Sequence, residues 1–136
     1  SMDQQFPVDG KSGNAKLEKE FLEVLSNAFE TFKKKQASYG PENIAKFGEK
    51  GVLVRTSDKI ERLINLLWND KENPLKDETI DDTWEDMLVY TAIAVLIRKG
   101  VWPGLTVEDI KLPEVTGESV EAVLIYRDDG TVEYDD

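Results

Sequence analysis

Asp82, Glu85 and Asp86 are the densest set of side chains able to do chemistry in this chain, and Asp82 and Asp86 stand four residues apart. On a helix that spacing puts both carboxylates on one face, with Glu85 beside them. Like charges so placed have two readings. They lie in solvent on an acidic first turn favoured by the positive end of the helix dipole, or they flank a cation. Carboxylate oxygens on a bundle helix suit Mg²⁺ or Mn²⁺, which keep several waters and accept phosphate oxygens as further ligands. A second polar set, Asp58, Arg62 and Asn65, recurs at i, i+4 and i+7, with Glu61 next to it. Asp58 and Arg62 make either a surface ion pair of about 0.3 kcal/mol or, if that stripe faces Asp82 and Asp86, part of a convergence that a metal or ligand must relieve.

Composition narrows the alternatives. The 136 residues are enough for one domain with a real core, and they include no cysteine and no histidine. Disulfide frameworks, thiolate chemistry, Ser-His-Asp catalysis and histidine zinc sites are therefore excluded. Carboxylates, Lys, Arg, Tyr, hydroxyls or an oxygen-held metal must supply any chemistry. A net charge of −11 argues against nucleic acid as a partner. Between Lys33 and Arg62, however, eight basic residues stand against four acids, a local +4 that leaves −15 for the remainder. That segment either seats a small anionic ligand or pairs with acids elsewhere. Nothing near Ser1-Met2 resembles a signal peptide, and the expected location is cytoplasmic.

The elements that must hold these residues are mainly helical. Asp77–Gly100 predicts the central helix: Thr79 caps it with Asp82 as a capping-box partner, and Gly100 ends it. From Met87 onward it is apolar most of the way round, which marks a core helix. Asp81, Asp82, Glu85 and Asp86 exclude a membrane span. Lys16–Lys35 predicts an amphipathic helix, with Leu17, Phe21, Val24, Leu25, Ala28, Phe29 and Phe32 docking on the central one. Arg55–Asn69 predicts a further helix, capped by Thr56 or Ser57, with Ile60, Leu63, Ile64 and Leu67 as its apolar side. Between these two, Gly40-Pro41 marks a break, a short turn through Ile44 follows, and Val52–Val54 is either extended or the entry to the next helix. Trp102 is expected to pack on the core, and Thr106–Asp109 to start at most one further turn. Val120–Tyr126 and Thr131–Tyr134 around Asp129-Gly130 read as a β-hairpin. The domain plan is a lead-in over 1–15, a helical bundle over 16–112 and the hairpin over 113–136.

Several blocks together carry a family resemblance. These are Tyr39-Gly40 with Asn43, Gly51–Arg55, Asp58–Leu67, and Asp77–Thr83 with Asp86 and Tyr90. Over about Phe29–Lys99 they resemble the nucleotide-modification-associated family of the first type, found largely in phages and bacteria. That family is similar to the MazG-like all-α nucleoside triphosphate pyrophosphohydrolases, which hold Mg²⁺ on E-E-x-x-E and E-x-x-D helices. Here Asp58-x-x-Glu61 is a shortened first half, and Asp82-x-x-Glu85 or Asp82-x-x-x-Asp86 replaces the second. The resemblance implies an antiparallel helical bundle of the MazG-like type carrying the hairpin. It also implies a homodimer or homotetramer, with the site near the subunit interface. The implied reaction is Mg²⁺- or Mn²⁺-dependent hydrolysis of a (deoxy)nucleoside triphosphate to monophosphate and pyrophosphate. Asp58, Glu61, Asp82 and Asp86 would be catalytic and, with Glu85, bind metal; Arg55, Lys59 or Arg62 would neutralise phosphate charge. Tyr39 or Trp84 would stack on the base, Asn43 or Asn65 would read its edge or the sugar, and Tyr90 would line the same site. The other reading keeps this pocket without turnover, as a module that delivers or sequesters a nucleotide. A third is a scaffold whose charged stripes pair and do nothing else.

Overall fold

The computed structural model describes residues 6–106 and the strand residues 123–126 and 132–135. Four α-helices are described: α1 (Ala15–Tyr39), α2 (Glu42–Ala45), α3 (Gly48–Leu63), which runs on as a π-helical turn over Ile64–Trp68, and α4 (Ile80–Arg98). The fold is thus mainly α. Two short strands, Val123–Tyr126 and Val132–Asp135, pair antiparallel with Val123 opposite Asp135. The turn expected at Asp129-Gly130 and most of the helix start expected at Thr106–Asp109 lie outside the described residues.

Helix α4 begins as its sequence dictates. The Thr79 hydroxyl accepts from the Asp82 N–H at 3.0 Å, and the Asp82 carboxylate accepts from the Thr79 N–H at 3.0 Å. Both orphan donors of the first turn are met. At the other end Gly100 takes φ +72°, and the Gly100 and Val101 N–H groups close onto the Ile97 and Leu96 carbonyls. Thr79→Ala is expected to cost about 1 kcal/mol, read as a lower urea midpoint at unchanged slope.

Val89, Ile93 and Ile97 of α4 form the core with Ala28 of α1, Ile44 of α2, Val52 of α3 and Trp102. Helix α3 lies antiparallel to α4: Glu49 near its start meets Arg98, while Lys59 and Arg62 near its end reach Asp86 and Glu78. Helix α1 lays its C-terminal half across the start of α4, where Lys35 and Thr31 meet Asp86 and Glu85. Trp102 closes the bottom, its indole N–H donating to the Pro41 carbonyl at 3.0 Å.

Four expectations are corrected. Helix α3 starts at Gly48, seven residues before the predicted Arg55, so Val52–Val54 is helical; Thr56 is no cap, because its hydroxyl bonds the Val52 carbonyl within the helix. Of the predicted apolar side of α3 only Leu63 is buried, whereas Ile60, Ile64 and Leu67 are 44%, 40% and 50% exposed. Much of the predicted stripe of α1 does not dock: Leu17, Phe21 and Val24 in its first half, and Phe29 beyond, are all more than half exposed. Likewise α4 is not apolar-buried all round, since Val95 faces out. Among the described residues no further surface covers these stripes.

Candidate functional site

Two adjoining features of the helical body bring together groups that could act on a ligand. The first is a charged cluster between α1, α3 and α4. The Lys59 ammonium sits 2.8 Å from a Glu78 oxygen and 3.0 Å from one oxygen of Asp86, whose other oxygen takes the Lys35 ammonium at 2.8 Å. Arg62 donates to the Thr83 hydroxyl (3.1 Å), the Glu78 carbonyl (2.6 Å) and the Asn73 side-chain oxygen (3.2 Å). Thr83 is fully buried. The cluster is held by residues of three helices, so its geometry follows from how they pack.

Burial pushes the Asp86 carboxyl up, but hydrogen bonds and charge from Lys35 and Lys59 outweigh it and hold the group below the usual aspartate range. Burial likewise pulls the Lys59 ammonium down, while Glu78 and Asp86 more than offset that and raise it. Both groups are therefore charged at neutral pH. Asp82 is also held low, by its hydrogen bonds from Thr79.

The second feature is a cleft of about 500 Å³ beside the cluster, lined by Phe32, Lys35, Gln36, Tyr39, Asn43, Ile44, Arg55, Val89, Tyr90 and Ile93. That volume lies within the range of small-ligand sites. Lys35 belongs to both features. Apolar residues floor the cleft, two cations stand in it, and Tyr39 is 68% exposed, its ring open to a stacking partner. Arg55 reaches the Asn43 backbone carbonyl at 3.4 Å. The Asn43 side-chain oxygen is buried with no hydrogen-bond partner. Such an amide has no fixed partner to keep it from turning toward a ligand.

The structure thus gathers four of the predicted ligand-binding residues, Tyr39, Asn43, Arg55 and Tyr90, in one cleft, and places Lys59 and Arg62 next to it. Asn65 is outside: it is exposed and accepts from the Asn69 side chain. Trp84 is half exposed at the surface.

The acids are arranged otherwise than expected. Asp58 and Glu61 are exposed, Asp82 is exposed and engaged in its cap, and Glu85 accepts from the Thr31 hydroxyl. Asp86 alone of the five reaches the cluster. Lys59 and Arg62, each one residue further along α3, turn toward α4 instead. One residue is a rotation of about 100° on a helix, enough to exchange an inward for an outward position. Among the described residues no three carboxylates gather in a way that could hold a metal. The oxygens of Asp86 are already taken by two ammonium groups, so the described residues of a single chain do not fit a resident Mg²⁺ or Mn²⁺.

Lys35, Gln36, Glu78 and Thr83 were not singled out as site residues by spacing. Lys35 lies one turn before Tyr39, whereas Glu78 precedes the cap of α4 and has no helical spacing to Asp86. Only for Lys35 would a helical repeat have served as the signal.

No helix among the described residues is long and apolar enough to cross a membrane. No protein-family model, curated protein or solved structure matches the chain.

Proposed function

We propose that this chain is a nucleotide-binding protein whose ligand is a (deoxy)nucleoside phosphate seated in the Tyr39–Asn43–Arg55–Tyr90 cleft. The observation that carries this reading is the cleft's lining: two cations, two tyrosines and an amide with an unmet acceptor around one space of nucleotide size. Lys35 and Arg55 take the phosphates, and charge-assisted hydrogen bonds there are the strong ones. Tyr39 stacks on the base, and Asn43 bonds its edge. A bundle of the MazG-like type with an appended hairpin, working as a homo-oligomer in the cytoplasm of a bacterium or phage-infected host, is the setting the family blocks suggest.

A second reading adds turnover, and one observation favours it. Asp58 and Glu61 stand free on α3 beside the exposed Ile60 and Ile64, a surface that another copy would cover. Carboxylates could then reach the cleft from a second subunit. In that reading the divalent ion enters as part of a magnesium or manganese complex of the triphosphate, water attacks the α-phosphorus, and pyrophosphate leaves.

Titrating the protein with a panel of nucleoside and deoxynucleoside triphosphates, with products resolved by chromatography, tests both. At least one nucleotide is expected to bind with micromolar affinity. Tyr39→Ala should weaken it about tenfold through lost stacking, without unfolding the protein, because the ring is exposed. Intact nucleotide at the end supports the binder, and monophosphate with pyrophosphate supports the hydrolase. If none of the panel binds, the cleft has another purpose.

A further inference from the structure

We infer that the Lys59 ammonium is a built-in substitute for a divalent ion between Glu78 and Asp86, so that the adjoining cleft takes the phosphate end of its ligand directly on Lys35 and Arg55, free of metal. The part about the cleft rests on the nucleotide reading; the part about Lys59 does not.

The geometry is that of a cation bridging two carboxylates, Glu78 just before the cap of α4 and Asp86 within that helix. Lys59 lies 2.8 Å from Glu78 and 3.0 Å from Asp86, with only about a fifth of its side chain exposed. Arg62 lies 3.7 Å from the same Glu78 oxygen, and Lys35 takes the far oxygen of Asp86 at 2.8 Å. Three cations therefore surround these two carboxylates, with Glu85 held by Thr31 alongside. An Mg²⁺ or Mn²⁺ approaching this place finds two further cations beside it and must first displace an ammonium that is paired on both sides. It also needs several oxygen ligands, and the Glu78 and Asp86 oxygens that face this place are held by Lys59. An anion meets the opposite field. Lys35 and Arg55 are the two cations that line the cleft itself. Lys35 can exchange Asp86 for a ligand phosphate while Lys59 keeps Asp86 neutralised. The carboxylates are not left bare, and no metal is needed to separate them from the phosphate.

Titration of the full chain with Mn²⁺, followed by calorimetry and by the electron paramagnetic resonance of free Mn²⁺, tests the Lys59 part. The wild type is expected to bind no Mn²⁺ at this place, and Lys59→Met is expected to gain a site that Asp86→Asn removes. Wild-type binding that Asp86→Asn abolishes would overturn the inference, and so would a folded Lys59→Met that gains nothing. If Lys59→Met does not fold, the wild-type titration with its Asp86→Asn control decides alone. The cleft is tested with inorganic tripolyphosphate in the presence of EDTA. Binding is expected there, unchanged or weaker when excess Mg²⁺ is added, and reduced about tenfold by Arg55→Met. Binding that appears only with Mg²⁺ overturns the metal-free cleft. No binding under either condition ends the phosphate role of the cleft and with it the nucleotide reading, while the Mn²⁺ result still stands for or against Lys59.

Discussion

Trp102→Ala is expected to lower stability by about 3–5 kcal/mol, a drop in melting temperature of roughly 12–20 °C for a chain of this size. Trp102 is buried, and its ring meets Phe32 edge-on with centroids 6.2 Å apart. Through that contact it joins the end of α1 to α2 and to the segment after α4. Truncation opens a cavity at the junction, and the Pro41 carbonyl loses the indole donor. Because Phe32 and Ile44 also line the cleft, the ligand site should loosen together with the fold. Trp102→Phe separates the two contributions. It keeps an aromatic ring but loses the N–H and part of the indole's volume, so a smaller loss of about 1–3 kcal/mol is expected. A circular-dichroism melt in which Trp102→Ala falls by only a few degrees would show that the junction carries little of the core.

Asp86→Asn is expected to cost about 2–3 kcal/mol, because removing one charge leaves Lys35 and Lys59 facing each other across an amide. Lys35→Met should cost less, since Asp86 keeps its bond to Lys59. The same cluster sets the pH dependence. The Asp86 carboxyl is held below its ordinary value near 3.8, so the unfolded chain takes up the proton first as pH falls. The stability Asp86 contributes is complete above that ordinary value and drains away as pH drops through the lower folded one. Lys59 runs the other way. Its raised affinity for the proton contributes in full below its ordinary value near 10.5 and is lost as pH climbs through the higher folded value. Urea midpoints should therefore form a plateau from about pH 5 to about pH 9 and fall on the acid side. Asp86→Asn should make that acid edge shallower. An acid edge of equal steepness in the variant would assign it to other carboxylates.

Where local chemistry decides the outcome, the residues could be read directly. Thr79 and Asp82 form the expected capping box because the two side chains and the two N–H groups they satisfy all lie within four residues. Gly100 ends α4 because a left-handed residue is needed there. The start of α3 could not be read in this way. Gly48 and Gly51 look like loop residues, yet Gly51 is helical, and a Cβ on it would stand 2.6 Å from the Cβ of Phe47. The glycine is required by a close approach that only the folded chain reveals. The apolar stripes of α1 and α3 were visible as well, but whether a stripe is covered depends on how much surface the rest of the chain can offer.

By itself, then, the sequence determined the helical class, the caps and ends of α4, the exclusion of histidine and cysteine chemistry, and a basic segment in an acidic chain. It also supplied Tyr39, Asn43, Arg55 and Tyr90, whose meeting in one cleft it could not show. Only the tertiary structure decided that Lys59 and Arg62, not Asp58 and Glu61, face α4, and that Asp86 is enclosed by ammonium groups. The reason is geometric. Composition and spacing fix which residues share a helix face, but the rotation of α3 about its own axis is set by burying its Val52 against distant residues such as Val89 and Ile93, and one residue's step of rotation exchanges a carboxylate for a cation.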